Sequence, residues 1–479
     1  FGRFYFSQTL AAGQSPRSLT IGDFNRDGRQ DAAIGNFVDD SATVFYAGAN
    51  GLFDAEGGGE TFDVGPGVVS LASADFNNDS WPDLTSVNQV SRTVSVMLND
   101  RRGRMLSVKN FTVEGGPRMV VSADFNGDGH LDLATVNNQP HEKSETAALK
   151  RAPEHDDGGT VSILSGDGAG AFTEAPHFAA GVLPMSIATG DFNGDARPDL
   201  AVADRSTDKV LIFYNTGGSG GRFATPPVEL NVGDAPSHIV AAADFNRDGR
   251  ADFVTANRNS NDATIVLSSA TGSGNNGSFS APVSLPAGNL PLSVAAGDFN
   301  SDGNPDVAVA NRNSQNISVM LGNGNGAFAA ATHIATGGAP VFVLAGDASG
   351  DLKNDLIVLN AAANGVAPTV SILRGDGAGG FVQSPNFPSG GRMPSAALLG
   401  DFNADGRADL AVVDTDLASV LIFRGNADGN AFLPTPVNYG VGLAPSSIAA
   451  GDFNQDGRVD LASSNFGSGG VSLLVNNCE

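Results

Sequence analysis

The sequence predicts an all-β chain closed into a single propeller of nine four-stranded blades, and three observations point there. One acidic loop recurs nine times, starting at Asp23, Asp75, Asp124, Asp191, Asp244, Asp298, Asp347, Asp401 and Asp452. The starts are separated by 52, 49, 67, 53, 54, 49, 54 and 51 residues, the length of a four-stranded blade and more than most helical repeats need. Sixty-two glycines and 24 prolines are spread along the whole chain, as many short strands and tight turns require. A chain of 479 residues would otherwise suggest about three domains. Repeats override that prior, because one unit cannot bury its apolar face without its neighbours.

The fifth repeat illustrates the order of strands. Ser237–Asp244 is an apolar run entering the acidic loop, Asp252–Asn257 leaves it, and Ala263–Ser268 is a third strand. A fourth follows a glycine-rich turn, over Phe279–Leu285. The first three are nearly continuous runs of small and β-branched residues, as strands covered on both faces should be. The fourth alternates and is more polar, which suits an outer edge.

The turns repeat as well. Gly168-Ala-Gly170-Ala-Phe172, Gly324-Asn-Gly326-Ala-Phe328 and Gly377-Ala-Gly379-Gly-Phe381 join third to fourth strands, and a Gly-x-Pro or Gly-x-x-Pro turn precedes each next first strand. Phe occupies loop position 2 in eight of nine copies, Ala348 being the exception, and a second Phe follows most of the third-strand turns. Together they account for about half of the 29 Phe, and recurrence with the fold marks them as wedges between blades. The last repeat ends on its third strand at Val471–Val475, while a spare strand, Arg3–Leu10, precedes the first repeat. Pairing the two closes the ring and leaves no open sheet end. Nine blades exceed the usual range of about four to eight. The alternative is a smaller ring with the remaining repeats as a separate array, although no linker interrupts the repeat.

The loops carry the chemistry. Their positions 1, 3, 5 and 9 are Asp23, Asn25, Asp27 and Asp31; Asp75, Asn77, Asp79 and Asp83; Asp124, Asn126, Asp128 and Asp132. The next three copies supply Asp191, Asn193, Asp195 and Asp199; Asp244, Asn246, Asp248 and Asp252; Asp298, Asn300, Asp302 and Asp306. The last three supply Asp347, Ser349, Asp351 and Asp355; Asp401, Asn403, Asp405 and Asp409; Asp452, Asn454, Asp456 and Asp460. Oxygen side chains at this spacing, with Gly at position 6, are what a hard cation of calcium's size requires. Alternate residues of a tight loop aim at one centre, Gly tolerates positive φ, and three crowded carboxylates repel one another unless a cation lies among them. Up to nine Ca2+, one per blade, are therefore expected. Ser80 and Ala196 replace the Gly in the second and fourth loops but leave the ligands intact. The seventh loop loses the Phe, the position-3 Asn and the Gly together, so its site is expected to be weak or empty.

The loops hold 27 of the 52 acidic residues, and nine divalent ions would bring the formal charge from −25 to −7. The acidity is thus ligand charge, and it opposes binding to nucleic-acid phosphates. No run of 18 apolar residues suggests a transmembrane helix. Loops of this kind fill where calcium is about millimolar, outside cells. The chain begins at Phe1 without a methionine, which fits either removal of an export signal or a trimmed chain. A secreted or cell-surface protein is expected. The lone Cys478 forms no internal disulfide.

Asp-Phe-Asn-x-Asp-Gly-x-x-Asp-Leu, followed later by Gly-x-Gly-x-Phe, resembles the FG-GAP/VCBS repeats, best known from integrin α-subunit propellers. The resemblance spans essentially the whole chain. It implies a β-propeller with calcium in the loop joining the two innermost strands of each blade. It also implies a position-7 carbonyl ligand, from Arg29, Trp81, His130, Arg197, Arg250, Asn304, Lys353, Arg407 and Arg458. In that arrangement the five Arg guanidinium groups would point to solvent.

On the opposite face an Asn or Asp closes each second strand: Asn36, Asn88, Asn137, Asp204, Asn257, Asn311, Asn360, Asp414 and Asn465. Such recurrence suggests Asx turns. Arg205, Arg258 and Arg312 follow three of them in succession and form a candidate contact for a sugar or acidic ligand. The third blade alone carries a long insertion, about 138–159, of the length usually functional or disordered. The evenness of the repeats favours a non-catalytic binding or adhesion scaffold for a protein or glycan. The alternatives are a lyase-like polysaccharide enzyme, which would need a His or Tyr beside Arg or Lys in one cleft, and a subunit of an extracellular assembly.

Overall fold

The computed structural model describes residues 4–48, 52–53, 59–101, 104–106, 108–138, 158–175, 177–218, 221–269, 278–363, 365, 367–389, 394–403, 405–426, 431–433 and 435–476. Most of the third-blade insertion and Cys478 lie outside them. The described residues form nine antiparallel blades in one ring, the first eight taking up their strands in chain order from the centre outward. Blade 1 consists of Pro16–Gly22, Asp31–Asn36, Ser41–Phe45 and Glu60–Asp63. Blade 9 consists of Pro445–Gly451, Asp460–Asn465 and Gly470–Asn476, completed by Phe4–Ala11 from the other end of the chain. Phe4 pairs with Asn476 and Leu10 with Val471, so the ring is closed by the N-terminal strand. The nine-bladed ring excludes the smaller ring with extra repeats.

Each first strand begins where the interblade turn ends, and its pairing slips by one residue at once. The slip falls between Pro16 and Ser18, Pro184 and Ser186, and Pro445 and Ser447, and at the matching place in the other blades. Proline cannot donate to the ladder, so it is tolerated at the start of a strand and at a bulge. First strands of successive blades pack on one another around the centre. Second strands are buried throughout, while the fourth are largely exposed, with only Leu230 and Leu285 buried in Val228–Asn231 and Val283–Pro286. Hydrophobic clusters lie between blades: one unites Ala32, Ile34, Phe45 and Phe53 of blade 1 with Phe453, Ala462, Val471 and Leu473 of blade 9.

The fourth strand of the fifth repeat starts later than expected. It is Val283–Pro286, paired with Asp262–Val266, whereas Phe279 pairs with Ser268 in a separate two-stranded ladder. The same arrangement recurs as Ala47–Phe53, Asn215–Phe223, Gly322–Phe328 and Gly425–Phe432 bridges. The Phe of the turn is pinned inward before the outer strand begins, because its ring belongs to the interblade core.

The wedges pair in a fixed sense. The position-2 ring of one loop meets the turn aromatic of the following blade: Phe76 with Phe172, Phe125 with Phe223, Phe245 with Phe328 and Phe299 with Phe381, at 5.5–5.9 Å between centroids. Phe453 meets Phe53 at 5.5 Å, carrying the pattern across the closure. Ala348 lies in the equivalent cluster with Phe432, so blade 7 keeps the place and loses the ring.

Candidate functional site

Each acidic loop is folded by its own side chains. The position-1 carboxylate accepts the N–H of position 5 on Oδ1 and of position 6 on Oδ2, as Asp23 does from Asp27 and Gly28. All nine loops repeat both bonds. The position-5 carboxylate accepts the N–H of position 7, as Asp27 does from Arg29 at 2.9 Å. Position 3 accepts from position 5 in every Asn loop, as Asn25 does at 3.0 Å, but Ser349 makes no such bond. Loop 7 therefore keeps the backbone of its siblings without the position-3 bond.

These bonds require left-handed backbone at position 6, where Gly28 has φ 86° and the substitutes Ser80, Ala196 and Leu352 have φ 64–68°. Position 4 is left-handed too, at Arg26, Asn78, Arg247, Ser301 and Gln455. A non-glycine residue there costs about 1–2 kcal/mol, offset by the amide bonds the turn collects.

Position 9 holds each blade together. Asp31 is fully buried; its Oδ2 accepts the N–H of Phe24 at 2.8 Å and its Oδ1 that of Ala47 at 2.8 Å. One carboxylate thus clasps the loop to the end of the third strand. The clasp recurs at Asp83, Asp132, Asp199, Asp252, Asp306, Asp355, Asp409 and Asp460. Burial pushes these groups up, to about 7 at Asp31, Asp199 and Asp460 and to about 6 at Asp83, Asp132, Asp252, Asp306 and Asp409. The amide donors hold them back, and neighbouring loop carboxylates add to the rise.

The position-7 arginines do not extend into solvent as expected. Arg29, Arg197 and Arg407 bond the position-5 Asp of their own loops, and Arg250 and Arg458 lie 3.6 and 3.1 Å from theirs. Residues two apart on this segment share a side, and the carboxylate field draws the guanidinium back. Arg29 and Arg197 also donate to the carbonyls of Ala47 and Asn215. At Trp81 the ring instead carries Arg26 from the preceding loop, 5.0 Å above it.

The residues able to hold a cation are these loop oxygens. Among the described residues no three His, Cys, Asp or Glu side chains form a ready-made metal cluster. The donor set itself suits a hard divalent ion: it is all oxygen, and each carboxylate offers about four lone-pair sites, of which the amides use only some. A buried carboxylate flanked by two others is also costly without a cation.

The opposite face differs from the Asx reading. Only Asp204 and Asp414 cap turns, accepting from Ser206 at 3.0 Å and from Asp416 and Leu417 at 3.1 and 2.9 Å. The Asn residues are buried and reach across to the third strand, as Asn257 does to Thr264 at 2.7 Å and Asn311 to Ser318 at 2.8 Å. An amide can donate to a hydroxyl seven residues on, which a carboxylate cannot. Arg205, Arg258 and Arg312 anchor their backbone N–H groups on Leu183, Ala235 and Leu290, with side chains half-exposed or exposed.

The sequence does not announce the cavity that opens beside the third acidic loop. It lies between blades 3 and 4, measures ≈ 1120 Å³, and is lined by Asp128, Asp167, Glu174, His177, Arg222 and the rings of Phe178 and Phe223. His177 also lines a second cavity of ≈ 650 Å³ beside Lys209 and Glu229. The fourth strand of blade 3 is broken there, into Phe172–Glu174 and Phe178–Ala179. Blade 7 has the same break, between Phe381–Gln383 and Phe387–Pro388. Aligning the two stretches, Glu174-Ala-Pro-His177-Phe and Gln383-Ser-Pro-Asn386-Phe, would have singled out His177.

No curated protein matches the chain. Among solved structures, the exotype rhamnogalacturonan lyase YesX is 12% identical with a TM-score of 0.51, over 100% of this chain and 76% of that one. The dihydro-heme d1 dehydrogenase NirN is 14% identical with a TM-score of 0.50, over 88% and 74%. A functionally unknown protein from Desulfotomaculum acetoxidans DSM 771 reaches 10% and 0.41, over 85% and 98%. At these identities what the first two share with the chain is the fold. The acidic loops are more specific: the FG-GAP-like repeat matches at residues 75–135, 151–202, 191–255, 244–309, 298–358, 350–412 and 401–463. With most of its length so matched, the chain belongs to the FG-GAP-like repeat family.

Proposed function

We propose that the protein is a calcium-stabilised, non-catalytic scaffold, exported from the cell, that presents a propeller face to a protein or glycan. The observation carrying this reading is the equivalence of the nine loops, each with a buried position-9 carboxylate clasping two segments of its blade. A divalent ion among the position 1, 3, 5 and 9 oxygens would neutralise that carboxylate and lock the hairpin between the two innermost strands. A site repeated in blade after blade suits architecture better than catalysis. Thermal melting with chelator and with added calcium tests the metal part: a large drop reversed by calcium is expected, and an unchanged curve in excess chelator overturns it. A panel of polysaccharides and proteins, assayed for binding and for products, tests the scaffold part.

A second reading, a polysaccharide-active enzyme, has one observation in its favour. His177 and Arg222 line one cavity, the base and charge neutraliser such chemistry would need. Release of unsaturated or hydrolysed product would select it over the scaffold.

A further inference from the structure

We infer that the cleft between blades 3 and 4 binds a short oligosaccharide that is uncharged or carries amines; this rests on the scaffold reading and narrows its glycan half. The cavity of ≈ 1120 Å³ is slightly larger than the small-ligand range of about 300–1,000 Å³. Its size suits two or three sugar rings with some water.

Its walls divide by chemistry. Phe178 and Phe223, 5.6 Å apart and tilted, form an apolar floor for the C–H face of a sugar. Around it stand flat polar groups: Glu174 and Asp128 accept, Arg222 donates, and the His177 ring can do both. Asp167 completes the rim, held below the usual carboxylate range: partial burial opposes this, but the N–H groups of Ala169 and Ala171 outweigh it. With Asp128 given over to the cation of its loop, Asp167 and Glu174 still outnumber the Arg222 guanidinium, so the cleft favours amines or plain hydroxyls over acidic sugars.

Blade 7 supplies an internal control. Its outer strand breaks at the same place, but there Asn386 closes the gap, accepting from Ser371 at 2.9 Å and from Gln383 at 3.0 Å and donating to the Thr336 carbonyl at 2.8 Å. At the equivalent position His177 is exposed and faces the cavities instead. The partner hydroxyl, Ser162 in blade 3, is still present and is already bonded to Asn137 at 2.9 Å. The cleft in blade 3 thus carries His177 and Glu174 where the sister blade has Asn386 and Gln383.

The test is calorimetric titration of the full chain, in calcium, with glucosamine trisaccharide, cellotriose and trigalacturonate. The expected result is binding of the first two and none of the third. The double variant Glu174→Gln/His177→Asn, which copies blade 7, should weaken binding about tenfold or more, about 1.4 kcal/mol, with an unchanged melting temperature. Ala175→Phe, which fills the floor without removing a polar group, should do the same. Equal binding by wild type and both variants would place the sugar elsewhere and overturn the inference while leaving a glycan scaffold standing. Preference for trigalacturonate, or no binding of any probe, would also overturn it; the chelator melt judges the calcium scaffold independently.

Discussion

Phe453 and Phe53 meet edge to face, 5.5 Å apart at 70°, although 400 residues separate them in the chain. Both are buried to within 1% exposure, in the cluster that joins the last blade to the first. Phe453→Ala should therefore cost about 3–5 kcal/mol, as for large-to-small changes in a core. Denaturant titration followed by fluorescence or circular dichroism reads the loss. A cost under about 1 kcal/mol, as at an exposed site, would contradict the wedge role.

Closure by the N-terminal strand makes a second outcome. Removing residues 1–11 deletes the partner of Gly470–Asn476 and exposes a buried strand edge. Unpaired edges seek other chains, so the shortened protein should self-associate on size-exclusion chromatography and melt at lower temperature. A monomer as stable as the parent would show that pairing across the closure contributes little.

Loop 7 should differ from its siblings in calcium uptake. Replacing Asp23 or Asp452 by Ala should remove one bound ion per chain by elemental analysis, because each would be the position-1 ligand of a loop whose position-1 and position-3 hydrogen bonds are all present. Asp347→Ala should leave the count unchanged, since Ser349 already lacks the position-3 bond. Equal losses at all three would show loop 7 to be a full site.

The position-9 carboxylates set the pH response of the calcium-free chain. Their folded-state values of about 6 to 7 lie above the ordinary 3.8, so the folded chain holds protons that the unfolded chain has released. Stability in chelator should be greatest below about pH 4 with respect to these groups and should fall as the pH rises to about 7. Calcium favours the ionised form and should flatten or reverse the trend. Melting curves across this range, with chelator and with calcium, check it; rising stability in chelator would contradict it.

Much of this architecture is legible in one repeat. Asp23 to Asp31 can be read as a loop because each side chain acts on a backbone group within a few residues. Pro16 marks the first strand because it lacks a donor. The placement of Phe4–Ala11 follows from a missing strand at one end and a spare at the other. What escaped was set by neighbours. Asn257 was read as a local cap and reaches a third-strand hydroxyl instead. Arg29 was turned toward solvent and folds onto Asp27, because the electrostatic field of the loop outweighs hydration of the exposed guanidinium.

His177 and Asn386 mark that boundary. Their surroundings in sequence are nearly alike, with a break in the outer strand before each and a Phe after. One faces a cleft and the other is tied into its sheet, according to which side chains the adjoining strands and blade bring near. Turn geometry, ligand spacing and blade number are short-range consequences of residue type, so the chain alone carries them. Whether a seam is filled or open depends on packing between segments tens of residues apart, and only the folded ring contains that information.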